Sequence, residues 1–311
     1  MKILVTCPPM LRQIDRFRAT FASRGAEVTC PPVVQTLSVP ELMRIVPEHD
    51  GWIIGDDPAT GEVLAAGVRG HLRAAVKWGI GVDNVDFAAA RELGLPIANT
   101  PFMFGREVAD VAMSYVVALA RETFLIDRAV RAGGWAKPVG ISLAGKIAAI
   151  AGFGDIGRNI ARRMLAADMS VVVYDPAFQS AGGLEAVRPM RWRDGIEEVD
   201  FLVLACSLTS QNRHMVDAGL LSRAKRGLRI VNVARGPLID ETALAAALGD
   251  GRVHSAALEV MEEEPLPATS PLRAFDRCLF GSHNGSNTLD AVVRASERAI
   301  ELLFEFLERR R

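Results

Sequence analysis

The element Gly152-Phe153-Gly154-Asp155-Ile156-Gly157 constrains this chain more than any other. An apolar run, Ile147–Ala151, precedes it, and residues 156–165, which follow, have helical spacing. Strand, glycine turn and helix in that order make the phosphate-gripping corner of a dinucleotide-binding fold. Gly152 permits the tight turn, Gly154 lets a pyrophosphate approach the backbone, and Gly157 lets helix and strand pack closely. The helix N-terminus adds amide donors and a partial positive charge. The next strand-like run, Ser170–Tyr174, ends in Asp175. That is about 20 residues beyond the glycines, where a carboxylate accepts hydrogen bonds from a ribose diol. Its charge repels a 2′-phosphate, so the cofactor expected is NAD and not NADP.

Such a corner needs a parallel sheet, and the pattern of the chain supplies one. Beyond residue 146, strand-like runs recur at Ile147–Ala151, Ser170–Tyr174, 201–206, 229–233, 255–260 and Cys278–Phe280, with helical segments between them. Six such runs predict a doubly wound dinucleotide-binding domain. Before it, apolar runs at 2–6, Gly51–Ile54 and 75–78, with a short helix at 41–45, predict a second α/β unit. Asn99-Thr100-Pro101 marks a break, and residues 107–121 carry Val108, Val111, Ala112, Tyr115, Val116 and Leu119 on one helical face. Residues 289–311 read as a long amphipathic helix free to return to the first unit, which makes that unit discontinuous. A length of 311 residues suits two domains.

Several classes are disfavoured. The formal charge is −1 with acids and bases interspersed, so no basic stripe for nucleic acid is expected. No stretch approaches the roughly 18 apolar residues of a membrane span. The N-terminal MKILVTCPPM reads as a first strand. Cys7, Cys30, Cys206 and Cys278 are far apart and form no CxxC pair, which suits free thiols in a reducing cytoplasm and gives no metal site.

Three further segments follow strands, where open α/β sheets bind ligands. Asn232-Val233-Ala234-Arg235-Gly236-Pro237 offers an arginine able to hold a carboxylate by two parallel hydrogen bonds. Glu262-Glu263-Glu264-Pro265 follows the run at 255–260; Glu262 and Glu263 read as solvated acids. Gly281-Ser282-His283-Asn284-Gly285 offers an imidazole, whereas His49, His71, His214 and His254 have no evident partner in sequence.

With these segments the chain resembles the D-isomer-specific 2-hydroxyacid dehydrogenase family, in its phosphoglycerate-dehydrogenase-like branch. The resemblance covers nearly the whole chain and includes Lys77-Trp78-Gly79-Ile80-Gly81-Val82-Asp83-Asn84-Val85-Asp86, Asn99-Thr100-Pro101, the glycine motif, Asn232 to Gly236, Glu264-Pro265 and His283. It implies two Rossmann-like domains, 1–99 plus 287–311 for substrate and 100–286 for NAD, with the active site in the cleft between them. It implies His283 as the general acid–base, Glu264 as the partner that favours its charged form, and Arg235 on the substrate carboxylate and C2 oxygen. The amides of Ile80 and Gly81 would hold that carboxylate from the other domain. Asp155 and Ile156 would touch the pyrophosphate through backbone, Asp175 the ribose, and Val108, Ser207, Asn212, Val233 and Ala234 the rest of the cofactor. Glu259 and Gly285 would lie at the nicotinamide end.

Some positions depart from the family pattern: Glu259 where Asp usually holds the carboxamide, Gly281-Ser282 where Thr-Pro often stands, Ser207 for Pro, and Asp110 for Glu. The resemblance further implies a homodimer through the cofactor domain, with Phe102, Met103, Phe104, Trp135 and the helical residues 107–121 as candidate surface; the other reading is that these apolar residues cover the domain's own core. Lys77 and Arg106 are the candidate cations for a phosphorylated substrate, and Arg106 reads more readily as a solvated residue near a helix start. The alternative is an NAD-sensing, corepressor-like protein on the same fold, since fold does not fix function. A formate enzyme would typically carry Gln in place of Glu264.

Overall fold

The computed structural model describes residues 1–309. The chain divides into two compact units, Met1–Phe104 with Asn287–Arg311, and Gly105–Ser286.

The first unit is built on five parallel strands, β1 Lys2–Val5, β2 Glu27–Thr29, β3 Gly51–Ile54, β4 Ala74–Lys77 and β5 Ile97–Asn99. Their order is β2-β1-β3-β4-β5, the doubly wound arrangement with one reversal of strand order. β3 and β4 are buried along their whole length. Parallel strands covered on both faces read as unbroken apolar runs, which is why these were visible in sequence. The edge strands β2 and β5 are three residues long and only partly covered, so no pattern announced them.

The short helix near 41 is Val39–Ile45, started by a capping box in which Glu41 accepts the Ser38 amide at 2.7 Å. The returning helix is Leu289–Glu308, capped by Thr288; positions 310 and 311 of the expected span lie outside the described residues. It lies over β3 and β4. A side-chain carbon at Gly51 would sit 3.1 Å from Leu303, and the Trp78 indole donates to Ser296 Oγ at 3.1 Å. Phe102, Met103 and Phe104 belong to this unit and not to the cofactor domain. Phe104 is buried because its ring packs against Trp78 at 5.0 Å.

The second unit has seven parallel strands, one more than expected: β6 Ile147–Ala151, β7 Ser170–Tyr174, β8 Arg188–Met190, β9 Phe201–Leu204, β10 Leu228–Asn232, β11 Val253–Leu258 and β12 Cys278–Phe280. The order is β12-β11-β10-β9-β6-β7-β8. The unexpected strand, β8, is an exposed edge paired only with β7, so it carries no apolar signature. From β6 the chain steps outward to β7 and β8, then returns to β9 on the other side. The strand order therefore reverses between β6 and β9, and the glycine corner leaves β6 at that point. Helix Gly105–Arg121 buries Val108, Ala112, Val116 and Leu119 at the spacing read from sequence.

Candidate active site

At the corner after β6, each glycine has its own physical reason. Gly152 has φ +96, and a side-chain carbon there would lie 2.7 Å from Cys206 N and Cα. At Gly157 it would lie 2.0 Å from the Gly152 carbonyl oxygen. Gly154 is different: it is exposed, and a side-chain carbon there meets nothing within 4 Å. Packing within the protein therefore does not demand glycine at 154. Asp155 and Ile156 open helix Asp155–Ala166, with Gly154 as its N-cap. Asp175 ends β7 beside this corner. Its Oδ2 accepts the Phe153 amide at 2.6 Å and its Oδ1 the Ala177 amide at 2.8 Å. The corner thus fits a dinucleotide: open amides for phosphate and a carboxylate fixed at the tip of the next strand.

The loops after β9 to β12 bring the remaining groups of this unit to the same edge of the sheet. After β9, Asn212 closes the loop that starts at Ser207, donating to the Ser207 carbonyl at 2.8 Å and accepting the Thr209 amide at 2.7 Å. After β10, Asn232 shapes the turn that carries Val233, Ala234 and Arg235. Its Oδ1 accepts the Ala234 amide at 3.0 Å and its Nδ2 donates to the Arg235 carbonyl at 2.9 Å. Gly236 then packs on the Met261 backbone so closely that a side-chain carbon would lie 1.8 Å from it. This contact ties the arginine loop to the loop that carries Glu264.

Glu264 is held at both oxygens. Oε1 accepts the Met261 amide at 3.0 Å, and Oε2 lies 2.7 Å from His283 Nδ1. The two side chains are about a quarter exposed, 26% for His283 and 23% for Glu264. A half-buried carboxylate on Nδ1 fixes the ring orientation and turns Nε2 toward whatever the site binds. Such a pair is equipped to move one proton to or from a bound oxygen.

Glu259, directly after β11, is 4% exposed. Its carboxylate accepts the Tyr115 hydroxyl and the Asn284 amide. Gly285 and Val108 lie beside it: a side-chain carbon at Gly285 would sit 3.7 Å from Glu259 Cγ and 3.8 Å from Val108 Cγ2. Tyr115 was read only as part of an apolar helix face. A buried tyrosine normally finds a hydrogen-bond partner for its hydroxyl, and that is the signal that points to it.

Other expectations change. Lys77 is buried, 2% exposed, and donates to the Gly55 carbonyl at 2.7 Å and Asp56 Oδ1 at 3.0 Å. Its ammonium is thus already paired within the first unit. Glu262 is not a solvated acid: it accepts the Glu241 amide at 3.0 Å, while Glu241 accepts the Glu262 amide at 2.8 Å. His214 and His254 do have carboxylate neighbours, Glu262 at 3.1 Å and Glu122 at 3.2 Å. Ile80 and Gly81 belong to the first unit, in the loop after β4; Ile80 is 42% exposed, and its carbonyl accepts Asn99 Nδ2 at 3.1 Å.

The model of the D-isomer specific 2-hydroxyacid dehydrogenase NAD binding domain matches residues 113–285. A hydroxypyruvate reductase of Thermotoga maritima is 34% identical over 277 residues, covering 86% of this chain and 88% of that protein. A chloroplastic D-3-phosphoglycerate dehydrogenase of Arabidopsis thaliana is 35% identical over 261 residues, covering 82% of this chain but 44% of that protein. The chain thus spans less than half of that longer relative. Among solved structures, the TT0316 protein of Thermus thermophilus superposes with a TM-score of 0.87 at 30% identity, covering 99% of this chain and 97% of that one. The chain therefore belongs to the D-isomer specific 2-hydroxyacid dehydrogenase family and is an NAD-dependent oxidoreductase of that family.

Proposed function

We propose that this enzyme interconverts a small, unphosphorylated 2-keto acid and its D-2-hydroxy acid, with glyoxylate and hydroxypyruvate as the first substrates to test. The observation that carries the reading is the His283–Glu264 pair, 2.7 Å apart, on the strand-end edge that also bears Arg235 and the glycine corner. NADH supplies the hydride to C2 when bound. In reduction, His283 Nε2 donates the proton to the C2 oxygen while Glu264 stabilises the imidazolium through Nδ1. Arg235 holds the carboxylate and polarises the C2 oxygen. The amides of Ile80 and Gly81, in the first unit, are proposed as further ligands for a substrate carboxylate.

For the cofactor, the Asp155 and Ile156 amides take the pyrophosphate, and Asp175 takes the ribose. Val108, Ser207, Asn212, Val233 and Ala234 line the remainder, with Gly285 at the nicotinamide end.

The preference for an unphosphorylated acid is supported by Lys77, whose ammonium is already paired with Asp56. A phosphate placed there would meet that carboxylate. Relatives named hydroxypyruvate reductase and glyoxylate reductase support this choice, while others are named D-3-phosphoglycerate dehydrogenase. The proposal also includes a homodimer, for which Trp135 and Val139 of the second unit, 78% and 94% exposed, provide apolar surface. It includes a reducing compartment such as the cytoplasm, suited to the four free thiols. No helix among the described residues is long and apolar enough to cross a membrane.

The test is NADH oxidation with glyoxylate, hydroxypyruvate, pyruvate and 3-phosphohydroxypyruvate. Turnover is expected with at least one unphosphorylated acid and a higher kcat/KM for hydroxypyruvate than for its phosphate. Preference for the phosphate would overturn the assignment of Lys77. Tight NADH binding with no turnover on any acid would favour the NAD-sensing alternative.

A further inference from the structure

We infer that Tyr115 and Glu259 form a positioning pair that holds the turn carrying His283, so that Glu259 acts on that backbone and not on the nicotinamide carboxamide. The inference rests on the reading of His283 as the acid–base group.

Glu259 is tied to its surroundings through four atoms. Its amide donates to the Asn232 carbonyl at 2.9 Å, and its own carbonyl accepts the His283 amide at 2.8 Å. One carboxylate oxygen accepts the Asn284 amide and the other accepts the Tyr115 hydroxyl. One residue therefore joins the end of β10, the turn after β12 and helix Gly105–Arg121. His283 itself has φ +55. A left-handed backbone is uncommon for a non-glycine residue and is favoured where its surroundings hold it in place. The amides of His283 and Asn284 both end on Glu259, which supplies that constraint.

Gly281 belongs to the same device. A side-chain carbon there would lie 1.9 Å from Glu259 Oε2 and 2.6 Å from the Tyr115 hydroxyl oxygen. The carboxylate and the phenol occupy the space that a side chain at 281 would need. Two sequence departures, Glu at 259 and Gly at 281, thus have one spatial cause. Burial, reinforced by the Glu259 carboxylate, raises the Tyr115 phenol well above its ordinary pKa, so it stays a donor. His283 is then gripped twice, at the ring by Glu264 and at the backbone by Glu259.

Tyr115→Phe removes one oxygen from the pair, and Glu259→Gln removes the charge. Each is compared with the parent for kcat, for NADH Kd by fluorescence titration and for thermal unfolding. Loss of a hydrogen bond to a charged group predicts a fall in kcat of about tenfold or more for Tyr115→Phe, with NADH Kd changed less than about twofold. The double variant should be little slower than Glu259→Gln alone, because both changes disable one device.

Two results would overturn the inference. One is a weakened NADH Kd in Glu259→Gln with parental kcat at saturating NADH and a silent Tyr115→Phe, which is the behaviour of a carboxamide ligand. The other is lowered thermal stability in both variants with parental kcat, which is the behaviour of a packing contact. His283→Ala in the same assay separates the two readings. If it loses turnover while Tyr115→Phe and Glu259→Gln keep theirs, the positioning inference alone fails. If it keeps turnover, the acid–base reading fails first.

Discussion

Replacing Gly154 with alanine adds one methyl group at a position with no protein atom within 4 Å. The residue has φ −73 and ψ −156, extended backbone that alanine adopts. Reduced freedom of the unfolded chain favours the variant by about 0.4–1 kcal/mol. Weaker capping of the helix at Asp155 opposes this by a similar amount, about 0.5–1 kcal/mol. Net stability is therefore expected to change by less than about 1 kcal/mol. The effect on NAD is different, because the methyl stands where the pyrophosphate must approach the Asp155 and Ile156 amides. Losing one hydrogen bond to a charged group costs about 1.5–3 kcal/mol, which is roughly 10- to 150-fold in Kd. Gly157→Ala is the control. Its methyl would meet the Gly152 carbonyl at 2.0 Å, so overpacking should cost about 1–3 kcal/mol of stability. Urea unfolding and NADH fluorescence titration read the two quantities separately. Parental NADH affinity in Gly154→Ala would refute the assignment of that surface to the pyrophosphate.

Asp175→Ala should raise NADH Kd and narrow the preference for NADH over NADPH, since it removes both a ribose acceptor and a charge that repels a 2′-phosphate; an unchanged ratio of the two affinities would remove Asp175 from cofactor selection. A pH effect is expected at His254, where burial, with Arg229 and Arg277 adding to it, pushes the imidazole from 6.5 down to about 4. Those effects outweigh the Glu122 carboxylate 3.2 Å away. The unfolded chain then binds a proton that the folded chain refuses, so this residue lowers stability as pH falls from 6.5 toward 4. His254→Gln should flatten the fall in urea midpoint across that window, and parallel curves for the two proteins would contradict this.

What the sequence disclosed follows from burial. β9 and β10 are covered on both faces, and their apolar runs stood out. β2, β5 and β8 are short edge strands whose partners, not their composition, make them strands. The glycine corner was legible because its constraint is local: three glycines, one strand and one helix. The ion pair of Lys77 was not legible because its carboxylate partner, Asp56, lies just beyond a neighbouring strand and leaves no trace in spacing. Glu262 was misread for a related reason, since its partner is the first amide of helix Glu241–Gly249. Tyr115 was hidden by periodicity, which reports that a face is buried but not that one residue on it ends in a hydroxyl. The pairing of Glu264 with His283 joins residues 19 apart on two loops. It became visible only when several motifs were taken together.

Turnover of glyoxylate and hydroxypyruvate by the parent enzyme and by His283→Ala tests the acid–base pair most directly. The parent should oxidise NADH with at least one of these acids, forming D-glycerate from hydroxypyruvate or achiral glycolate from glyoxylate. His283→Ala should lose about 10²- to 10⁴-fold in kcat with NADH affinity nearly unchanged. Parental turnover in His283→Ala would contradict the assignment of proton transfer to this histidine.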